Sequence, residues 1–275
     1  MRRTISAFTT VSAATLLAVV TTFLPSLGAL TGPIVVSVLV VVFALTWPVL
    51  CTSAPRWGVS MILGVTGLAA VWTVSLLPAH VVFSSAPTEL WLAPVGGAAA
   101  LGILAMFIMQ TFTLPGGVNR FMTTAMFSVG AVTVATAAGW ALLLRNKYDV
   151  ADGVLGAERI TGLTWLMLTI LAAVAAASLA TLFKTRLRMR MVAIVVVATL
   201  VTVALQFLRP GPLSVPAVLA GIIAALTIAL TESFADTHEL PATARQHPAS
   251  AVAVGTGTTI VSGMIGYFVL HVLPW

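Results

Sequence analysis

The sequence predicts an all-α fold: one polytopic bundle of about nine transmembrane helices, with the N-terminus cytoplasmic and the C-terminus extracytoplasmic. Three observations carry this. Of 275 residues, 60% are hydrophobic and only 7% charged, whereas soluble domains carry about 25% charged residues. The apolar residues run continuously, where a membrane barrel would show alternation. The basic residues gather in alternate joints between the runs, where they set helix orientation.

Crossing a hydrocarbon core of about 30 Å takes about 20 apolar residues of helix. The predicted spans are approximately 7–24, 33–51, 58–78, 90–111, 121–144, 160–183, 191–208, 214–233 and 251–272. They leave only short joints, so residues 1–275 are expected to form a single transmembrane domain. Met1-Arg2-Arg3 followed by an apolar run resembles a leader, but no convincing small-x-small cleavage site stands before Pro25. The first span is therefore expected to stay as a helix. Proline and glycine mark the joints, as at Pro25, Gly32-Pro33, Pro55, Pro78, Pro115-Gly116-Gly117, Pro210-Gly211-Pro212 and Pro248.

With the N-terminus inside, the inner segments hold nine basic residues and the outer segments four. Lys184, Arg186, Arg188 and Arg190 decide the asymmetry, because no acid accompanies them between positions 184 and 190. They are expected to set topology and to touch anionic lipid headgroups. The net charge of +6 therefore points to a bilayer and not to nucleic acid. Trp57, Trp91, Trp165 and Trp275 fall near predicted helix ends, where an amphipathic ring suits the headgroup region, while Trp72 lies deeper.

The spans place no ionisable residue at a helix centre, and Glu89 and Glu232 fall at predicted ends. This argues against a pump built on a relay of buried carboxylates. The single cysteine, Cys51, excludes an internal disulfide and a multi-cysteine metal site. Thr237-His238-Glu239-Leu240-Pro241-Ala242 lacks the second histidine of a zinc protease, and Pro241 breaks the helix that motif needs. Around Gly153, Tyr148 and Arg159 would fall at the first and last ligand positions of a calcium loop, which rejects it. No nucleotide-binding loop, hydrolase elbow or paired-aspartate motif is found. The chain is thus expected to be no enzyme and to need no cofactor.

Two places could carry function. In the fourth span, Pro94, Gly96 and Gly97 could loosen the helix and free backbone groups for a substrate path. In the ninth, Gly255, Thr259, Ser262 and Gly266 fall within about 60° on one face at 100° per residue. That face suits close helix packing or a substrate-lined interface. Thr123, Thr124, Thr133 and Thr136 scatter around their helix and define no stripe. The nine spans could also divide as four, one and four into inverted repeats.

The favoured expectation is a multi-pass permease-like transporter or translocator of the cell membrane, handling a small or lipidic molecule. An alternative is a non-transporting assembly or regulatory subunit with a membrane protein partner. A third is a membrane enzyme with a site around His80, Glu89, Asp149 and Asp152. His271 is expected to be an interfacial residue near the end of the last helix.

Overall fold

A computed structural model describes residues 2–27, 30–52, 57–76, 89–113, 118–149, 157–209, 214–236 and 247–272. The described residues form helices and short turns, with no strand. The helices are α1 (Arg2–Leu27), α2 (Thr31–Thr52), α3 (Trp57–Leu76), α4 (Glu89–Thr113) and α5 (Val118–Ala135), then α6 (Ala138–Asp149), α7 (Ala157–Ala180), α8 (Leu187–Leu208), α9 (Val215–Asp236) and α10 (Pro248–Val272). Among the described residues there are nine stretches long and apolar enough to cross a membrane, with α5 and α6 together making one of them. The chain is a multi-pass membrane protein.

Large apolar side chains cover the outside. On α8, Val192, Val196, Leu200 and Phe207 are exposed, while Arg190, Ile194, Ala198, Thr202 and Gln206 are buried at a spacing of four. A water-soluble monomer does not expose such a surface; in lipid it needs no cover. Most threonine and serine hydroxyls in the helices donate to a carbonyl three or four residues back, as Thr46 does to Val42 and Thr199 to Val195. They are satisfied within their own helices and mark no polar path.

Successive spans run in opposite directions, and their ends meet accordingly. Arg145 at the end of the fifth span donates from Nη1 to the Val74 carbonyl near the end of α3, at 2.7 Å. Gly58 at the start of α3 faces Met109 near the end of α4. Gly255 on α10 lies against Ser6, Thr9 and Thr10 of α1, so these two helices start at the same end. That end also holds the close of α9, because Arg2 and Arg3 reach Glu232. It holds the α7–α8 turn as well, because Ser178 and Thr181 line one small chamber with Ser6, Thr10 and Glu232. It is called the basic end below.

The last helix occupies the centre. In α10, 78% of the span is buried, against 22% for each of α4 and α8. On one side it packs against α2 and the α5–α6 span, and on the other against α1, α7 and α9. This grouping departs from the four-one-four division. The first helix packs mainly on α7 and α10 and less on its sequence neighbour α2, and its small and hydroxylated face (Ser6, Thr10) lies against Gly255.

The fifth span contains the main interruption. The helix breaks at Thr136-Ala137 and resumes at Ala138, with Ala137 N bonding to Val134 O and Gly139 N to Thr136 O. These are three-residue closures, tighter than α-helical ones. Thr136 Oγ1 donates to Thr133 O at 2.6 Å and satisfies a carbonyl beside the break. Beyond it, residues 137–144 are all buried.

At the opposite end, Gln206 joins three helices. Its Nε2 donates to Thr169 Oγ1 at 3.2 Å, and its Oε1 accepts from Ser214 N at 3.1 Å. Ser214 in turn caps α9 by accepting from Ala217 N. Gln206→Ala is expected to lower stability by about 1–3 kcal/mol, because a buried backbone donor loses its acceptor. A melting curve followed by fluorescence-detected size exclusion measures it; an unchanged midpoint would show that Gln206 does not tie these helices.

Candidate functional site

A groove of about 440 Å³ opens sideways from the bundle. Its walls are Phe43 and Trp47 of α2, Met126, Val129 and Thr133 of α5, and Thr227, Leu230 and Thr231 of α9. Its floor is Ala253, Val254, Gly257, Thr258 and Val261 of α10. With α5 and α6 counted as one span, these residues come from the half of each span nearest the basic end, Val261 standing at mid-span. The groove therefore occupies about half the depth of the bundle. Towards the other end of the bundle it stops where α5 breaks and α6 closes onto α10.

The walls are apolar in effect. The four threonine hydroxyls donate into their own helices: Thr133 to Val129 O, Thr227 to Ala224 O, Thr231 to Thr227 O and Thr258 to Gly255 O, at 2.7–3.0 Å. What they present to the groove is methyl groups and oxygen lone pairs.

Trp47 is fixed as part of this wall. Its Nε1 donates to Met126 O at 3.0 Å, and its indole fills the place a side chain at Gly130 would take. Phe43 stacks on it with ring centroids 5.0 Å apart. Met126, Val129 and Thr133 recur at spacings of three and four, so they line one face of α5.

The closed half is sealed by a contact between α6 and α10. A Cβ placed on Gly139 would stand 2.5 Å from Met264 Cα and 2.6 Å from the Gly263 carbonyl carbon. Trp140 lies across Gly263 and donates from Nε1 to Thr259 O at 2.7 Å. Gly266 completes this surface against Ile170 and Leu143.

The residues singled out from the sequence distribute as follows. Gly255, Thr259, Ser262 and Gly266 do share a face of α10, and all four are buried. Gly255 packs on α1 and Gly266 on α6 and α7, while the Thr259 carbonyl holds Trp140. The groove residues of α10 lie roughly opposite that face at 100° per residue. Pro94 stands half-buried in the first turns of an unbroken α4, and Gly96 and Gly97 are exposed, with open space around the position of a Cβ. None of these seven lines the groove.

Lys184, Arg186 and Arg188 are exposed at the turn between α7 and α8, while Arg190 is buried at 2% exposure. Glu232 does stand near a helix end, yet its side chain is only 4% exposed, because α1 folds over it. Its carboxylate lies 3.8 Å from an Arg2 guanidinium nitrogen and 4.0 Å from Arg3 Nε. His271 is exposed, with Nδ1 at 2.9 Å from Tyr267 O and its ring beside Tyr267. His80 and Asp152 lie outside the described residues, as do the side chains of Glu89 and Asp149. Among the described residues, no three His, Cys, Asp or Glu side chains converge.

The sequence reading missed Trp47, Trp140 and the break at Thr136-Ala137. A signal was present: Ala137-Ala138-Gly139-Trp140 sets small residues beside a large ring in mid-span. No family model, curated protein or solved structure matches the chain.

Proposed function

We propose that this chain is a permease-like translocator of the cell membrane whose cargo is lipidic and enters sideways from the bilayer. The observation that supports this is the lateral groove. Its volume of about 440 Å³ falls within the roughly 300–1,000 Å³ of small-molecule sites. A hydrophilic solute would find no hydrogen-bonding partner beyond threonine lone pairs along its walls, whereas an alkyl chain meets apolar contacts throughout. With the N-terminus cytoplasmic, as the charge asymmetry suggests, the groove opens to the cytoplasmic leaflet. Cargo crossing then requires the α6–α10 contact to open, with the break between α5 and α6 as the natural hinge. No chemical step is part of this function.

The dry packing of Gly255, Thr259, Ser262 and Gly266 favours a second reading, a rigid subunit whose groove seats a partner's helix. One experiment separates the two. The purified chain is reconstituted into phospholipid vesicles carrying lipids labelled on their headgroups, and a membrane-impermeant reductant is added. A translocator is expected to expose inner-leaflet label to the reductant. If the inner label stays protected for anionic, zwitterionic and single-chain lipids alike, the subunit reading replaces this one.

A further inference from the structure

We infer that the cargo of the groove is a neutral lipid alcohol, whose hydroxyl donates to the side-chain oxygens of Thr227 and Thr258. The inference rests on the groove's being a seat for a lipidic molecule. The first observation is the direction of every side-chain hydrogen bond in the walls. A carbonyl oxygen only accepts, so a threonine hydroxyl within 2.7–3.0 Å of one gives its proton to it. Thr133, Thr227, Thr231 and Thr258 are all committed in this way, and what each keeps is an acceptor lone pair. The indole nitrogen of Trp47 is a donor only, and it is spent on Met126 O at 3.0 Å. Among the described residues lining the groove, no side chain has a donor to spare and none is charged. Such a wall accepts hydrogen bonds and gives none.

That one-way chemistry selects the polar group of the cargo. A phosphate or carboxylate would bring charge and further acceptors to a wall that answers neither. An ether or ester without a hydroxyl would set lone pairs against lone pairs. An ammonium could donate, but its charge would find no carboxylate among the described lining residues. A hydroxyl donates one bond and carries no charge, which matches the wall. The second observation is depth. Thr227 lies nine residues before the close of α9 at Asp236, and Thr258 ten residues after the start of α10 at Pro248. At a rise of about 1.5 Å per residue, both stand about 14–15 Å in from the basic end, on two helices that pack together. Thr231, five residues from Asp236, stands nearer that end, and Thr133, fifteen residues after Val118, stands deeper. Thr227 and Thr258 therefore offer two acceptors at one level in the middle of the groove, and the bond does not need Thr133 or Thr231. An alcohol brought to that level loses the hydration of one hydroxyl, which the threonine oxygens offset; a charged head would lose far more.

The test uses Trp47 as a reporter in the wall. The purified full chain in phosphatidylcholine nanodiscs is titrated with chain-brominated octadecanol, its methyl ether, or the alkyl phosphate of the same chain. The quenching that disappears in Trp47→Phe measures groove occupancy. A bimane on Val129→Cys, in a Cys51→Ser background, reads the same wall should the tryptophan variant fail to fold. The alcohol is expected to quench at about fivefold lower mole fraction than the ether, as for one neutral hydrogen bond, and the phosphate to quench least. Thr227→Val with Thr258→Val removes both acceptors, so the alcohol should then need as high a mole fraction as the ether, whose own quenching stays unchanged. Thr227→Ser with Thr258→Ser, which returns the oxygens, should return the preference. A preference that survives in the valine pair, or fails to return in the serine pair, overturns the assignment to these two threonines. Equal quenching by alcohol and ether, or stronger quenching by the phosphate, overturns the alcohol inference and leaves the groove standing. Absence of quenching by all three overturns the groove reading itself.

Discussion

Gly139→Ala is expected to leave little folded protein, or to lower its melting midpoint by more than any other single methyl addition in the bundle. The added carbon would meet backbone on α10, at 2.5 Å from Met264 Cα and 2.6 Å from the Gly263 carbonyl carbon. A clash with the tip of a flexible side chain can relax by a rotamer change, whereas here two helices must separate. Overpacking typically costs about 1–3 kcal/mol and sometimes more. The upper part of that range applies because residues 137–144 are all buried and the strain has no outlet to lipid. Gly97→Ala supplies the contrast. Its Cβ meets nothing within 4 Å, so the same change is expected to be neutral, or to stabilise α4 by up to about 1 kcal/mol through helix propensity. The two variants, compared by detergent-solubilised melting and by yield of monodisperse protein, should differ strongly. Equal behaviour would mean that α6 and α10 do not approach as described.

That contrast also shows what the sequence could and could not disclose. The spans were legible because bilayer thickness imposes a length and lipid imposes composition, and both are local properties of the chain. The alternation of ends was legible too: Arg2, Arg3 and the 184–190 cluster, assigned to one side by counting basic residues, do gather at one end of the bundle. Which faces touch was much less accessible. Inside lipid every face of every helix is apolar, so the amphipathic signal that locates a soluble core is missing. The small-residue face of α10 was recognisable as special. Its spacing fits close packing and a cargo path equally well, and three-dimensional neighbours decide: α1, α6 and α7 fill it. Pro94, Gly96 and Gly97 suggested a break, yet α4 continues through all three: Pro94, the sixth residue, removes one bond near the helix start without ending the helix. The actual break, at Thr136-Ala137, carries no proline. It is imposed by the packing of Gly139 and Trp140 on Gly263, a tertiary demand with only a faint local trace. Glu232 was correctly placed near a helix end, but its burial depends on α1, more than 200 residues away in the sequence.

Filling the groove should stop translocation while leaving the fold intact. Thr133 on α5 and Thr231 on α9 are half-buried and belong to opposite walls, on helices that flank α10. Thr133→Trp with Thr231→Trp would place two indoles in a space of about 440 Å³ whose open side faces lipid. Each indole can settle without displacing backbone, so the melting midpoint is expected to stay within the scatter of surface substitutions, about ±0.5 kcal/mol. Exposure of inner-leaflet label in reconstituted vesicles should fall about tenfold or more, the equivalent of about 1.4 kcal/mol of lost cargo binding. The threonine hydroxyls are not what is being removed: Thr133→Val with Thr231→Val keeps the volume and takes away hydroxyls that already donate to Val129 O and Thr227 O. That pair should transport as well as the unmodified chain. Loss in the valine pair would mean that polar groups, not space, carry the cargo. Full activity in the tryptophan pair would remove the groove from the path and leave the far side of α10, where α1 and α7 pack, as the place to look.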